Sequence, residues 1–148
     1  MLLTGALLWG IIVRPSAYID DRCFARFTYE DGSEDQSFSF TGNVAFEFSK
    51  NKTGQFNLSG DMYSQGKKYI FSRYVKFNYT NTASNAYNVK ILSHESLAHD
   101  NVPESLSSFA VKIFFLSGEH TMYMKKQGDS YITIGNTLSP VMNCVIQL

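Results

Sequence analysis

Thirteen residues at the N-terminus, Met1 to Val13, carry no charged side chain and stop at Arg14-Pro15, and the remainder of the chain reads as β-strand with one cysteine near each end. That order describes an exported β domain on an N-terminal membrane tether. A membrane-spanning helix needs about 20 apolar residues and a signal-peptide core about 7 to 15, so this run falls in the shorter class. Yet the segment Arg14-Pro15-Ser16-Ala17-Tyr18 has no small-x-small pattern for a peptidase. The run therefore reads as an uncleaved anchor over residues 1–17, followed by a β domain over 18–148. No Lys or Arg precedes the run while Arg14 follows it, the reverse of the asymmetry expected when the C-terminal side is exported. A start further upstream, supplying a basic flank and more apolar residues, is the expectation that resolves this. The competing reading is a buried first strand of a soluble domain.

A chain of 148 residues fits one domain with a real core. Its 13 Lys plus Arg balance 13 Asp plus Glu, so it lacks the basic footprint of a nucleic-acid binder, and no direct contact with nucleic acid is expected. Most of its 12 Phe and 9 Tyr fall in short runs mixed with Val, Ile and Thr, which suits pleated, half-buried surfaces.

From Arg22 onward, apolar alternation recurs between turn signals. Cys23 to Tyr29 precedes Asp31-Gly32-Ser33, Phe38 to Phe48 precedes Asn51-Lys52-Thr53-Gly54, and Phe56 to Tyr63 precedes Ser64-Gln65-Gly66. The rhythm continues through Tyr69 to Tyr79, Tyr87 to Leu92, Phe109 to Leu116, Thr121 to Lys126, Tyr131 to Ile134 and Val141 to Leu148. This is the pattern of successive hairpins. Gly42 interrupts the alternation in its strand and reads as a bulge or a tight bend. Ser93 to Ser108 reads as a long connection, with Pro103 opening a short helix from Glu104 to Ser108. The expected fold is mainly β, an antiparallel up-and-down sheet curled into a lipocalin-like or an incomplete barrel, with at most one short helix.

Cys23 and Cys144 are the only cysteines, and neither lies in a C-x-x-C or a Cys/His ligand spacing. Cys23 is in phase with Ala25, Phe27 and Tyr29, and Cys144 with Met142, Ile146 and Leu148, so both point inward. Two readings stand: a disulfide between the ends of the array, or two buried thiols. An oxidising compartment would favour the first. The alternating aromatics either fill the interior or line a pocket for an apolar ligand, which a barrel of about eight strands has room for.

No constellation recommends catalysis, a metal or a cofactor. His94 and His99 are five apart where a zinc-protease helix needs four, and they read as part of a solvated loop. His120 reads as an exposed turn residue. The stretch Glu30 to Asp35 lacks the order of a calcium loop, and no G-x-S-x-G elbow is present. The protein is not expected to be an enzyme.

Gly54, Asn57-Leu58-Ser59-Gly60, Arg73-Tyr74-Val75-Lys76-Phe77-Asn78-Tyr79, Tyr87 and Asp100-Asn101-Val102-Pro103 form a pattern that resembles the FidL-like family of small enterobacterial inner-membrane proteins. The resemblance implies a single-pass protein with its C-terminal domain in the periplasm. It implies a partner, a ToxR-like transmembrane regulator with a cytoplasmic winged-helix domain. It further implies that the paired periplasmic domains make a lipocalin-like barrel sensing a small amphipathic molecule such as a bile salt, with strands of the regulator completing an open sheet. Arg73, Phe77 and Tyr79 match the pattern as framework, and no ligand is assigned to them. A self-contained lipocalin-like binder of lipid is the alternative.

Overall fold

Alternation along each strand puts one apolar set on the inner surface of a sheet that closes on itself. The computed structural model describes residues 19–31, 38–136 and 140–147. The expected anchor over 1–17 and most of the acidic turn after Glu30 lie outside the described residues. Eight strands occur in order: β1 (Arg22–Asp31), β2 (Phe38–Phe48), β3 (Thr53–Ser64), β4 (Lys67–Ala83), β5 (Ala86–Ser96), β6 (Glu119–Gln127), β7 (Tyr131–Asn136) and β8 (Pro140–Gln147). One helix among the described residues, α1 (Glu104–Ile113), joins β5 to β6. Each strand pairs antiparallel with its sequence neighbours and β8 returns to β1, giving a closed up-and-down barrel. Of the two forms expected, lipocalin-like closure is found and the incomplete barrel is not.

The local chemistry explains the pieces. On β2, Phe38, Phe40, Val44 and Phe48 are buried while Thr41, Asn43, Ala45 and Glu47 between them are exposed, so the period of two sorts the residues by face. The β3–β4 hairpin turns on Gln65 (φ 51°) and Gly66 (φ 79°), the two successive positive angles of a type I′ turn. Gly42 is not a bulge. Its register is continuous, opposite Phe27 on one side and Gly60 on the other. A Cβ on Gly42 would lie 2.1 Å from the Ser59 carbonyl oxygen, and one on Gly60 would lie 2.3 Å from that of Thr41. The glycine pair lets β2 and β3 approach closely where the sheet curls. The register shift in the β4–β5 ladder instead falls between Lys76 and Phe77, leaving Leu92 unpaired on β5.

Strand lengths divide the barrel unequally. β1 to β5 form long ladders, whereas β5 meets β6 over five residue pairs and β8 meets β1 over three. At the end defined by Asp31, Ser64 and Ser96, the five-stranded part therefore extends past the three-stranded part. Helix α1 fills that opening. Leu106, Phe109, Ala110 and Ile113 recur at helical spacing and face the core. Phe109 packs edge-on against Phe38, and Phe114 against Phe27 and Tyr29, while Phe40 and Phe71 pack on the same ring. The sequence expectation of a helix ending at Ser108 and a strand from Phe109 to Leu116 is thus corrected. A short, continuous apolar run does not by itself distinguish a strand from a buried helical turn.

The opposite end holds the seam and the entry of the chain. Cys23 on β1 and Cys144 on β8 are both buried and are joined in a disulfide, with Cα atoms 5.2 Å apart. Cys23 lies opposite Ile146, so Cys144 is its diagonal neighbour on the inner face. Nearby, the Ile19 N–H donates to the Tyr79 hydroxyl at 3.0 Å, and that hydroxyl lies 2.7 Å from the carbonyl oxygens of Ile19 and Ser49. The fully buried Tyr79 fixes the segment that enters β1.

The disulfide spans 121 residues, so the chain-entropy treatment assigns it about 4 to 5 kcal/mol. The Cys23→Ser/Cys144→Ser variant is expected to lose stability of that order in urea unfolding, and its oxidised and reduced gel mobilities should coincide where those of the natural protein differ.

Candidate functional site

The barrel interior is filled at the seam end and hollow in the middle. Phe46 and Phe48 stack with ring centroids 5.4 Å apart, and Phe56 and Phe77 lean on them to form an aromatic floor. Above this floor lies a cavity of about 340 Å³, within the size range of small-molecule sites. Val44, Leu58, Val89 and Ile91 wall one side, and Met122, Met124, Ile134 and Met142 the other. Ile113, Phe114 and Phe115 roof it from the end of α1. The methionine wall can deform around an occupant because its side chains are unbranched and polarisable.

Polar residues are few in the lining: Thr28, Tyr29, His120 and Asn136. His120 is not an isolated turn residue. It is the second residue of β6, its Nε2 bonds the Ser117 carbonyl, and its ring lies 4.7 Å from that of Phe115. Helix α1 ends here in a Schellman arrangement, with the Leu116 N–H donating to the Val111 carbonyl at 3.0 Å. The left-handed position that usually takes glycine is occupied by Phe115 at φ 56°, a conformation that costs about 1 kcal/mol or more. The chain tolerates this strain at the point where an exposed aromatic ring borders the cavity.

Beneath the helix lies a buried charge cluster. Arg73 points inward from β4, and its side chain and that of Asp100 are each 3% exposed. The guanidinium donates from Nε to Asp100 Oδ2 at 2.7 Å and from Nη2 to Oδ1 at 3.2 Å, a bidentate pair. Its Nη1 donates to His94 Nε2 at 3.1 Å, and its Cζ lies 4.8 Å from the centroid of the Phe71 ring. Asp100 also accepts the Ser72 and Val102 N–H groups. Burial pushes the Asp100 carboxyl up, but these hydrogen bonds and the Arg73 charge outweigh it and hold its pKa below the usual carboxylate value. Burial, then the neighbouring guanidinium, lower the His94 pKa below 6.5 against the opposing pull of Asp100. His94 is neutral and accepts.

The same segment straps β4. Past Arg73, where β5 ends, the Leu97 N–H donates to the Ser72 carbonyl, the Asn101 N–H to the Ile70 carbonyl, and the Ile70 N–H to Asn101 Oδ1 at 2.7 Å. Residues 97–102 thus take over the free edge of β4 and deliver the chain to α1 above the cavity.

A family model described as "FidL-like putative membrane protein" matches residues 60–144, from the second half of β3 to the disulfide cysteine of β8. The chain belongs to this family. No curated protein matches it. Among the described residues of this FidL-like protein no helix is long and apolar enough to cross a membrane. The inner-surface disulfide fits an extracytoplasmic domain.

The structure brings together residues that the sequence reading kept apart. Arg73, assigned to framework, and Asp100, within the Asp100 to Pro103 motif, are partners across 27 positions. His94 lies not in a solvated loop but on β5, facing Arg73, while Glu95 and His99 are exposed. Phe77 lines the cavity and Tyr79 anchors Ile19. Phe46, Phe48, Phe56, Phe77 and Phe115, which the alternation marks as core filling or pocket lining, border the cavity, whereas Met122, Met124 and His120 carry no such signal, because alternation shows which face a residue takes but not which residues border a void.

Removing Asp100 leaves the Arg73 charge buried and unpaired, so Asp100→Ala should cost about 3 to 5 kcal/mol in urea unfolding. A histidine whose folded pKa is lowered binds its proton first in the unfolded chain, so stability falls as pH drops from 6.5 towards the folded value. Unfolding midpoints measured between pH 7 and pH 5 should decline in the natural protein and flatten in His94→Gln. Asp100, with its pKa depressed, contributes fully above the ordinary carboxylate range and loses its contribution only as pH falls below it.

Proposed function

We propose that this FidL-like protein is a tethered accessory protein on the periplasmic side of a bacterial inner membrane. There it pairs with and modulates a ToxR-like transmembrane regulator and takes up a small apolar or amphipathic molecule, of bile-salt or lipid character, in its barrel. The observation that carries this reading is the cavity of about 340 Å³, apolar but for Thr28, Tyr29, His120 and Asn136 in its lining. Such a lining suits an amphipathic molecule whose apolar body enters and whose polar end stays at the rim. The role is binding rather than catalysis, since the walls offer apolar surface where a reaction would need placed acids, bases or nucleophiles. Membership of a membrane-protein family and the disulfide support the location.

Closure alters how the regulator would be engaged. A barrel complete within one chain offers no gap for a partner's strands, so the pairing would use outer faces and loops. An occupant would influence the regulator only through different affinities for two states of the pair. The second reading, a self-contained lipocalin-like carrier, is favoured by the same single-chain closure.

Photolabelling in membranes with a diazirine derivative of cholic acid tests the site. Labelled peptides should come from Phe114 to Met124 and from the Ile134 to Met142 wall. Met122→Trp, which fills the cavity, should lower labelling by about tenfold with the disulfide intact, the loss expected when steric filling removes about 1.4 kcal/mol of binding. Labelling spread over the outer surface and unaffected by the variant rejects the cavity. Capture of the regulator's periplasmic domain supports the accessory role, whereas a monomer that retains lipid and ignores the regulator supports the carrier.

A further inference from the structure

The outer surface of the barrel is mostly polar, as Asn43, Asn57, Ser59 and Lys76 illustrate. Exposed large apolar side chains also occur at Tyr63, Ile70, Leu92, Leu97 and Phe115, and one group of them lies on the β7–β8–β1 seam. Phe24, Tyr131 and Val145 are 41%, 37% and 54% exposed, and Val145 is the register partner of both Phe24 across the β1–β8 seam and Tyr131 on β7. The three side chains therefore form one contiguous apolar surface over the outside of the stapled seam. Along the same outer face Arg22 and Arg26 flank Phe24, while Asn143 and Gln147 flank Val145. Glu47 lies opposite Arg22 on β2, and at the same end Asp20 and Asp21 pair with Lys50 and Lys126 while Asp129 lies in the turn before Tyr131.

We propose that this face of the β7–β8–β1 seam rests in the headgroup region of the bilayer that holds the N-terminal run, which rests in turn on Met1 to Val13 being the tether. Residues 14–18 separate that run from Ile19, and a fully extended chain covers about 3.5 Å per residue, so the six steps from Val13 to Ile19 span no more than about 21 Å in any conformation. Ile19 is itself fixed by Tyr79 at the seam end, five positions before Phe24. The apolar strip is thus on the end of the barrel that cannot leave the membrane. An aromatic and aliphatic surface edged by arginines is the composition that partitions to the interface, apolar atoms towards the acyl boundary and cations at lipid phosphates. The cavity roof, α1, lies at the opposite end, away from the bilayer.

The full-length chain, carrying Trp9→Phe to remove its natural tryptophan, is reconstituted into vesicles of phosphatidylethanolamine and phosphatidylglycerol with or without brominated acyl chains. A single tryptophan is introduced by Tyr131→Trp on the strip or by Tyr63→Trp, an exposed position at the helix end. Insertion of the strip about 5 to 10 Å into the boundary should cut the emission of the Tyr131→Trp protein by about half in brominated vesicles and leave that of the Tyr63→Trp protein unchanged. Floating vesicles in which the strip tryptophan is unquenched overturn the proposal and leave the tether standing. Blue-shifted but unquenched emission from the Tyr131→Trp protein also overturns it, since a second copy or a protein partner then covers the strip. Failure of the chain to float with vesicles overturns both. Gel mobility of the intact disulfide establishes that each variant has folded.

Discussion

A sheet that closes on itself must bring its first and last strands together, and here three residue pairs and one covalent bond do so. Everything else in the fold depends on that seam. The ladders from β1 to β5 are formed by hairpins whose turns lie close in sequence, whereas the β8–β1 contact closes a loop of most of the chain. Its entropic cost is the largest in the molecule, and the disulfide removes much of it from the unfolded state. Tyr79 adds a polar tie at the same end by holding Ile19 against the β2–β3 turn.

Closure with strands of unequal length leaves an opening at the other end, and the chain solves it with a helix and a strap rather than with more sheet. The strap satisfies the edge of β4 through Ser72, Ile70 and Asn101, and the Arg73–Asp100 pair fixes its position. A buried ion pair is seldom a net source of stability compared with apolar packing, but it is exacting about geometry. Here it determines where α1 begins and hence how far Phe114 and Phe115 descend over the interior. The roof of the cavity is consequently coupled to a charge pair between β4 and the strap that no occupant of the cavity would touch.

That arrangement separates the tasks of the two ends. The seam end is covalently stapled and aromatic inside, and it holds Ile19 through Tyr79. The helix end carries the strained Phe115 and the methionine wall nearby. A molecule entering between Phe115 and β7 would meet deformable side chains, while the seam end is held by its disulfide.

By itself the sequence determined the β class, the turns at Gln65-Gly66, the inward phase of Cys23 and Cys144, and a single short helix opened by Pro103, because these depend on neighbours within a few residues. It also carried the FidL-like pattern in which Arg73 and Asp100 both occur, without showing that they touch. Only the tertiary structure decided that the barrel closes within one chain, that Phe109 to Ile113 continue the helix, that Gly42 meets Gly60 instead of bulging, and that Met122, Met124 and Phe115 border a void. The reason is physical: alternation and turn chemistry are local and survive in the linear chain, whereas closure, edge coverage and empty volume depend on which distant segments meet.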